Sequence, residues 1–215
     1  MVKFSDLIEM AQQCFDCARK ANRINNLYFS RNLIKRYFVR RNFINIIGSL
    51  GIVTGGDSCL DFGPGMGIMI PALARRFRHV VALDIDQKQL KSAKELISKC
   101  DIGNVEFVLG KEENELGIFE DGKFDCIIAD NVLEHIENTA PIISEFYRIL
   151  NEKGVLIISV PSQNFIYRMF ENENDGHVLR THSQITDLIG KIGHLYSQIH
   201  EFDVFPFFKT CVFMK

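Results

Sequence analysis

The sequence predicts an α/β fold, a mostly parallel sheet with helices on both faces. Three observations predict it. Beyond the first fifty or so residues, short apolar runs rich in β-branched side chains alternate with segments of helical period, the pattern of βαβ units. The first of these runs ends in a glycine-rich turn that opens into a helix, Cys59-Leu60-Asp61-Phe62-Gly63-Pro64-Gly65-Met66-Gly67. The second ends on a carboxylate, in Val81-Ala82-Leu83-Asp84.

Taken in order, residues 1–50 read as a helical N-terminal cap. Phe4, Leu7, Ile8 and Ala11 recur at helical spacing, and a second run carries Leu33, Ile34, Tyr37, Phe38, Ile44, Ile47 and Leu50. Gly48, Gly51 and Thr54-Gly55-Gly56-Asp57 punctuate the exit, and residues 51–215 form the main domain. Strands are expected at Ser58–Phe62, His79–Leu83, Val105–Leu109, Phe124–Ala129 and Val155–Val160. Helices are expected over Met66–Phe77, Gln87–Cys100 and Ala140–Leu150, joined to the strands by right-handed crossovers. The tail supplies a helix near Ser183–Ile192 and two aromatic strands, Glu201–Phe205 and Phe208–Met214. Pro206 falls between those strands, where a hairpin turn tolerates it.

At 215 residues the chain suits one α/β core and is short for two domains and a linker. A net charge of −2 gives no global basic field, so a nucleic-acid partner is not expected. No run approaches the roughly 20 apolar residues of a membrane span, so no stable membrane insertion is expected. Met1 to Met10 mixes acidic with apolar residues and lacks a signal-peptide core, which reads as a cytoplasmic chain. The six cysteines agree, being scattered through predicted elements. Cys14 and Cys17 form a lone C-x-x-C without a second pair at zinc-ligand spacing, and read as two helical cysteines one turn apart.

The glycine loop is the most informative stretch. Glycines let the chain turn tightly and let a ligand approach the backbone with no Cβ in the way. The helix behind it starts with unpaired N–H groups suited to polar or anionic ligand atoms. Asp84, at the end of the second strand, is the acceptor an adenosine ribose needs. A dinucleotide fingerprint would be G-x-G-x-x-G, and Ile68 stands where its third small residue belongs. The glycines fall instead at alternate positions behind Asp61, which argues against NAD and a nucleotide-dependent oxidoreductase.

Asp61 through Gly67 resembles the E/D-x-G-x-G-x-G loop of the Rossmann-like (class I) S-adenosylmethionine-dependent methyltransferases, and Asp84 matches the acidic end of their second strand. Ala129-Asp130-Asn131-Val132-Leu133-Glu134-His135-Ile136 resembles the "VLEHV" signature of the subgroup with quinone, small-molecule and glycan enzymes. Ile149-Leu150-Asn151-Glu152-Lys153-Gly154-Val155-Leu156 resembles that subgroup's "LKPGG" turn, with Ser159-Val160-Pro161 following. The resemblance implies a seven-stranded sheet with an antiparallel last strand, and S-adenosylmethionine as cofactor. It implies that the backbone from Phe62 through Gly63 and Gly65 lines the methionine moiety, with Asp61 helping to hold its amino group. It further implies that Asp84 takes the ribose hydroxyls, that Ile85 packs on adenine, and that the Asp130–Asn131 edge borders the methionine end and the substrate mouth. Many members carry an acidic residue after the glycine closing the third strand. Here Gly110-Lys111-Glu112 stands instead, so Glu112 or a backbone carbonyl must reach the adenine amino group, since lysine accepts no hydrogen bond.

Methyl transfer needs alignment and exclusion of water, and a hydroxyl acceptor also gains from a general base. The candidates are Glu134 and His135, after the fourth strand, and His177 and His182, in a loop resembling the family's "H-V-x-x-F-T" segment. Each histidine has a plain alternative: a helix-start histidine for His135, and solvated loop histidines for the other two. Some relatives hold a divalent cation through a Glu three residues before the Glu-His pair; Asn131 stands there, a poor ligand for a hard cation, so no metal is expected. Arg31, Lys35, Arg36, Arg40 and Arg41 lie among Tyr28, Phe29, Tyr37, Phe38 and Phe43. That stretch could lid the cofactor, bind an anionic acceptor or touch a membrane surface, against the plainer reading of a solvated basic face and a buried aromatic one. The reading is therefore methyl transfer to oxygen of a small molecule or saccharide, with N- or C-methyl transfer and a non-catalytic adenosyl-binding partner subunit as alternatives. A homodimer is compatible with it.

Overall fold

In the computed structural model the described residues are 4–21, 27–53, 56–111, 115–161, 184, 187, 197–204 and 208–215. Seven strands form one sheet: β1 (Ser58–Phe62), β2 (His79–Asp84), β3 (Val105–Leu109), β4 (Phe124–Asp130), β5 (Leu150–Pro161), β6 (Ser197–Val204) and β7 (Phe208–Met214). Their order is β3-β2-β1-β4-β5-β7-β6. The first five run parallel, and β7 lies antiparallel between β5 and β6. The helices are α1 (Phe4–Lys20), α2 (Leu33–Ser49), α3 (Ile70–Arg76), α4 (Gln87–Ile97) and α5 (Ala140–Ile149).

The strands read as continuous apolar runs because each feeds two cores. Cys59, Val80, Ala82, Cys126, Ile128, Val155, Ile157 and Val212 face one layer, where α1 to α4 pack. Their neighbours Leu60, Val81, Leu83, Ile127, Ala129, Leu156, Ile158, Cys211 and Phe213 face the other, under α5. A period of two with both faces covered leaves no polar face to alternate with. The cap helices share the first of these cores: Cys14, Phe15, Cys17 and Ala18 of α1 and Phe43, Ile46 and Ile47 of α2 are buried with the sheet residues. Both cysteines of the C-x-x-C are thus core residues of one helix, and the Cys14 thiol lies 3.9 Å from the Met69 carbonyl.

Several bounds differ from those the sequence suggests. The helix expected from Met66 begins only at Ile70, because Gly63, Gly65 and Gly67 all take positive φ and carry the turn further, closed by Gly67 N–H to the Pro64 carbonyl (2.9 Å). The helix expected to reach Cys100 ends at Ile97 and unwinds through a turn. Strand β5 starts at Leu150 rather than Val155. It pairs Phe124 with Leu150, bulges with Lys153 at φ 67, and resumes at Cys126 with Val155. Gly154 permits that bulge, since a Cβ there would sit 2.6 Å from the Leu150 side chain. Most of the helix expected over Ser183–Ile192 lies outside the described residues. The aromatic face foreseen as buried in the cap is divided: Phe43 is buried, whereas Tyr37 is exposed with Leu33, Ile34 and Ile44.

Candidate functional site

A cavity of about 360 Å³ opens at the C-terminal ends of β1, β2 and β4, where open α/β sheets bind ligands. Phe62, Gly63, Gly65, Leu83, Asp84, Ile85, Asn131, Val132 and His135 contribute to its wall. Its volume falls in the range of small-molecule sites, about 300–1,000 Å³.

The glycines of the loop differ in what they serve. Gly63 (φ +71) lies under Val132, and a Cβ on it would meet Val132 Cγ2 at 2.5 Å. Gly67 (φ +76) does the same against Ala93, at 2.7 Å. Gly65 (φ +53) has no protein atom within 4 Å of where its Cβ would be, so its open side belongs to the cavity. The loop is pinned to β2 by the Asp84 carboxylate. Asp84 Oδ2 accepts from Gly65 N–H at 3.2 Å, and Oδ1 accepts from Asp86 N–H at 2.9 Å. Partial burial raises the Asp84 pKa, with these two backbone donors opposing the rise.

Beneath the cavity runs a polar row that strand alternation generates. Asp61 on β1, Asp130 on β4, Ser159 on β5 and Thr210 on β7 all sit at positions facing α2, and Asp130, Ser159 and Thr210 are successive partners across the sheet. Asn42 of α2 is the hub of the last three. Its Nδ2 donates to Ser159 Oγ (3.0 Å) and Asp130 Oδ1 (3.4 Å), and its Oδ1 accepts from Thr210 Oγ1 (3.1 Å). Asn131, held at φ 52, donates from Nδ2 to Asp130 Oδ1 at 2.7 Å. Asparagine is among the few non-glycine residues that take this conformation readily. Two buried acceptors of the site, Asp61 Oδ2 and Asn131 Oδ1, have no hydrogen-bond partner among the described residues. Burial, then the nearby Asp130 and Asp84, pushes the Asp61 carboxyl up to about 8. Burial lifts Asp130 to about 6, against the hydrogen bonds from Ser159 and Asn42.

Of the expected site residues, Phe62, Gly63, Gly65, Asp84, Ile85, Asn131 and His135 meet at this cavity. Asp61 and Asp130 lie behind its wall in the polar row. His135 is exposed at the end of a short 3-10 turn, Leu133–His135, and Glu134 beside it is buried. Glu112, His177 and His182 lie outside the described residues. Asn42 and Thr210 escape a motif search, and Ser159 enters it only as part of Ser159-Val160-Pro161, with no role attached. A signal was nonetheless present: each is a lone small polar residue at an inward position of an otherwise apolar stripe.

Residues 60–158 match the family model of a methyltransferase domain. Over 125 residues the chain is 27% identical to a ubiquinone biosynthesis O-methyltransferase of Psychrobacter arcticus, covering 58% of this chain and 49% of that one. Over 154 residues it is 27% identical to ribosomal RNA small subunit methyltransferase A of Bacillus thuringiensis, covering 68% and 48%. The chain thus spans about half the length of the curated relatives it matches. The magnesium protoporphyrin IX methyltransferase of Synechocystis PCC 6803, solved with bound S-adenosylhomocysteine, superposes with a TM-score of 0.64 at 19% identity, over 94% of each chain. The matched segment contains the glycine loop, Asp84 and the β4 edge, and the fold around it is the same, so over residues 60–158 the chain is similar to the methyltransferase domain family.

Proposed function

We propose that the chain transfers a methyl group from S-adenosylmethionine to an oxygen of a small molecule or saccharide. The observation that carries this reading is His135, exposed at the rim of the cavity that Gly65, Asp84 and Asn131 also line. An imidazole there offers a base to an acceptor seated over the glycine loop, which a hydroxyl needs and a neutral amine does not. The similarity to a ubiquinone biosynthesis O-methyltransferase supports the same choice.

The residues fit the cofactor. Among the described residues Asp61 Oδ2 and Asn131 Oδ1 lack donors, and the ammonium of a methionine moiety has three to give. Each Asp84 oxygen takes one backbone N–H, which leaves lone pairs for ribose hydroxyls. Ile85, half-exposed at the cavity wall, offers an apolar surface to adenine, and Glu112 is the partner proposed for its amino group. Bound S-adenosylmethionine supplies an electrophilic methyl group. The chain's own work is to align the acceptor oxygen, to exclude water with the apolar walls Phe62, Val132 and Ile136, and to take the hydroxyl proton at His135. His177 and His182 are further candidates for that proton. An extruded base is a poorer acceptor here. Phe62, the one Phe or Tyr among the described residues of the wall, packs edge-to-face with Phe146 at 5.0 Å, and Asp130-Asn131-Val132-Leu133 offers no ring to stack on.

The test is product analysis with methyl-labelled donor across phenols, saccharides and amines. Label on oxygen is expected, with His135→Ala lowering kcat by roughly 10²–10⁴-fold. Label on nitrogen or carbon overturns the oxygen assignment. S-adenosylhomocysteine binding without turnover across the panel favours the adenosyl-binding partner subunit instead.

A further inference from the structure

We infer that the outward face of α2 docks the protein on an anionic lipid bilayer surface, peripherally and without crossing it. Helix α2 is apolar on two sides. Val39, Phe43, Ile46, Ile47 and Leu50 are buried in the cores, and a helix apolar all round is one that something covers. Yet Leu33, Ile34 and Tyr37 are 65%, 57% and 62% exposed, and Ile44 continues the same face. Residues 34, 37, 41 and 44 follow one another at steps of three and four, so these side chains form one stripe.

Charge chooses the occupant. Between Asp16 and Asp57 the sequence has eight basic residues and no acidic one, although the whole chain is net negative. Arg31 is exposed near the start of the stripe and Arg41 within it, and no ion pair engages Arg31, Arg36 or Arg41 among the described residues. Arg40 is used internally. It lies 4.7 Å from the Phe15 ring and 5.4 Å from that of Phe29, and donates to the Tyr28 carbonyl at 2.8 Å. A second copy packed on this stripe would bring two such basic segments together, which is unfavourable. A nucleic acid would be met by cations and stacking rings, whereas the stripe presents Leu33, Ile34 and Ile44. Aliphatic side chains that enter the acyl boundary, flanked by cations at headgroup level, match an anionic leaflet.

The test is flotation of the full chain with vesicles of phosphatidylcholine alone and of phosphatidylcholine mixed with phosphatidylglycerol, at low and high salt. It needs neither cofactor nor acceptor, so its result is independent of the transfer reaction. Flotation is expected with the mixed vesicles only and falls at high salt. Arg31→Gln with Arg41→Gln weakens it by roughly fivefold per cation. Ile34→Glu with Tyr37→Glu abolishes it while S-adenosylhomocysteine binding, the check on folding, persists. No flotation of the wild type, equal flotation with neutral vesicles, or flotation unchanged in the double glutamate variant overturns the inference. So does a wild-type dimer in light scattering that the glutamate variant dissociates, which gives the face to a second copy. Retention of mixed-sequence RNA with no vesicle binding gives it to nucleic acid.

Discussion

Asn42 Nδ2 donates to Ser159 Oγ across 3.0 Å, a buried bond that joins the second helix of the cap to the fifth strand, 117 residues away. Through Asp130 the same amide reaches Asn131 at the cavity wall. The cap is therefore tied to the cofactor side of the sheet by hydrogen bonds as well as by apolar packing.

Asn42→Ala leaves Thr210 Oγ1 without its acceptor and removes a donor from Asp130. An unsatisfied buried group costs about 1–3 kcal/mol, so urea denaturation should show a loss of that order. Asn42→Asp should be worse at neutral pH, because it sets a second carboxylate beside Asp130.

Asp84→Ala removes both the clamp on Gly65 N–H and the proposed ribose acceptor. Calorimetry should find S-adenosylhomocysteine binding weaker by about 1–3 kcal/mol. An unchanged affinity would take Asp84 out of the cofactor site.

Gly63→Ala and Gly65→Ala should separate stability from binding. The first forces a Cβ against Val132 at positive φ, and thermal melting should show a marked loss of stability. The second meets no protein atom, so its strain is about 1–2 kcal/mol while cofactor affinity falls sharply. Equal effects of the two on binding would contradict the division of labour between these glycines.

The buried carboxyls predict a pH dependence. Burial raises Asp61 to about 8 and Asp130 to about 6, from an ordinary 3.8. Both are protonated in the folded chain at pH values where the unfolded chain ionises them. Their contribution to stability is thus complete below the ordinary value and is lost as pH rises through 6 and then 8. Without ligand, Asp61→Asn should gain Tm relative to wild type as pH rises from about 5 to 8. With saturating S-adenosylhomocysteine the difference should shrink or reverse, because the ligand's ammonium favours the ionised carboxyl. A constant difference across the range would show that Asp61 titrates normally.

The reach of the sequence ends where side-chain direction begins. Glycine spacing, the carboxylate closing β2 and the alternation of strand and helix periods are local properties, set by backbone sterics and by burial on two faces. They were enough for the fold, and the resemblance of the glycine loop and of Ala129–Ile136 to the methyltransferases added the cofactor and a cavity wall of Gly63, Gly65, Asp84, Asn131 and His135. The partners of Asn42 lie 88 to 168 residues away, and nothing in the local pattern of α2 tells which of its two apolar faces meets the sheet. Packing decided that. It turned Phe43 inward and Tyr37 outward, and it brought Asp130, Ser159 and Thr210 under one amide because strand register, a property of the assembled sheet, aligns them.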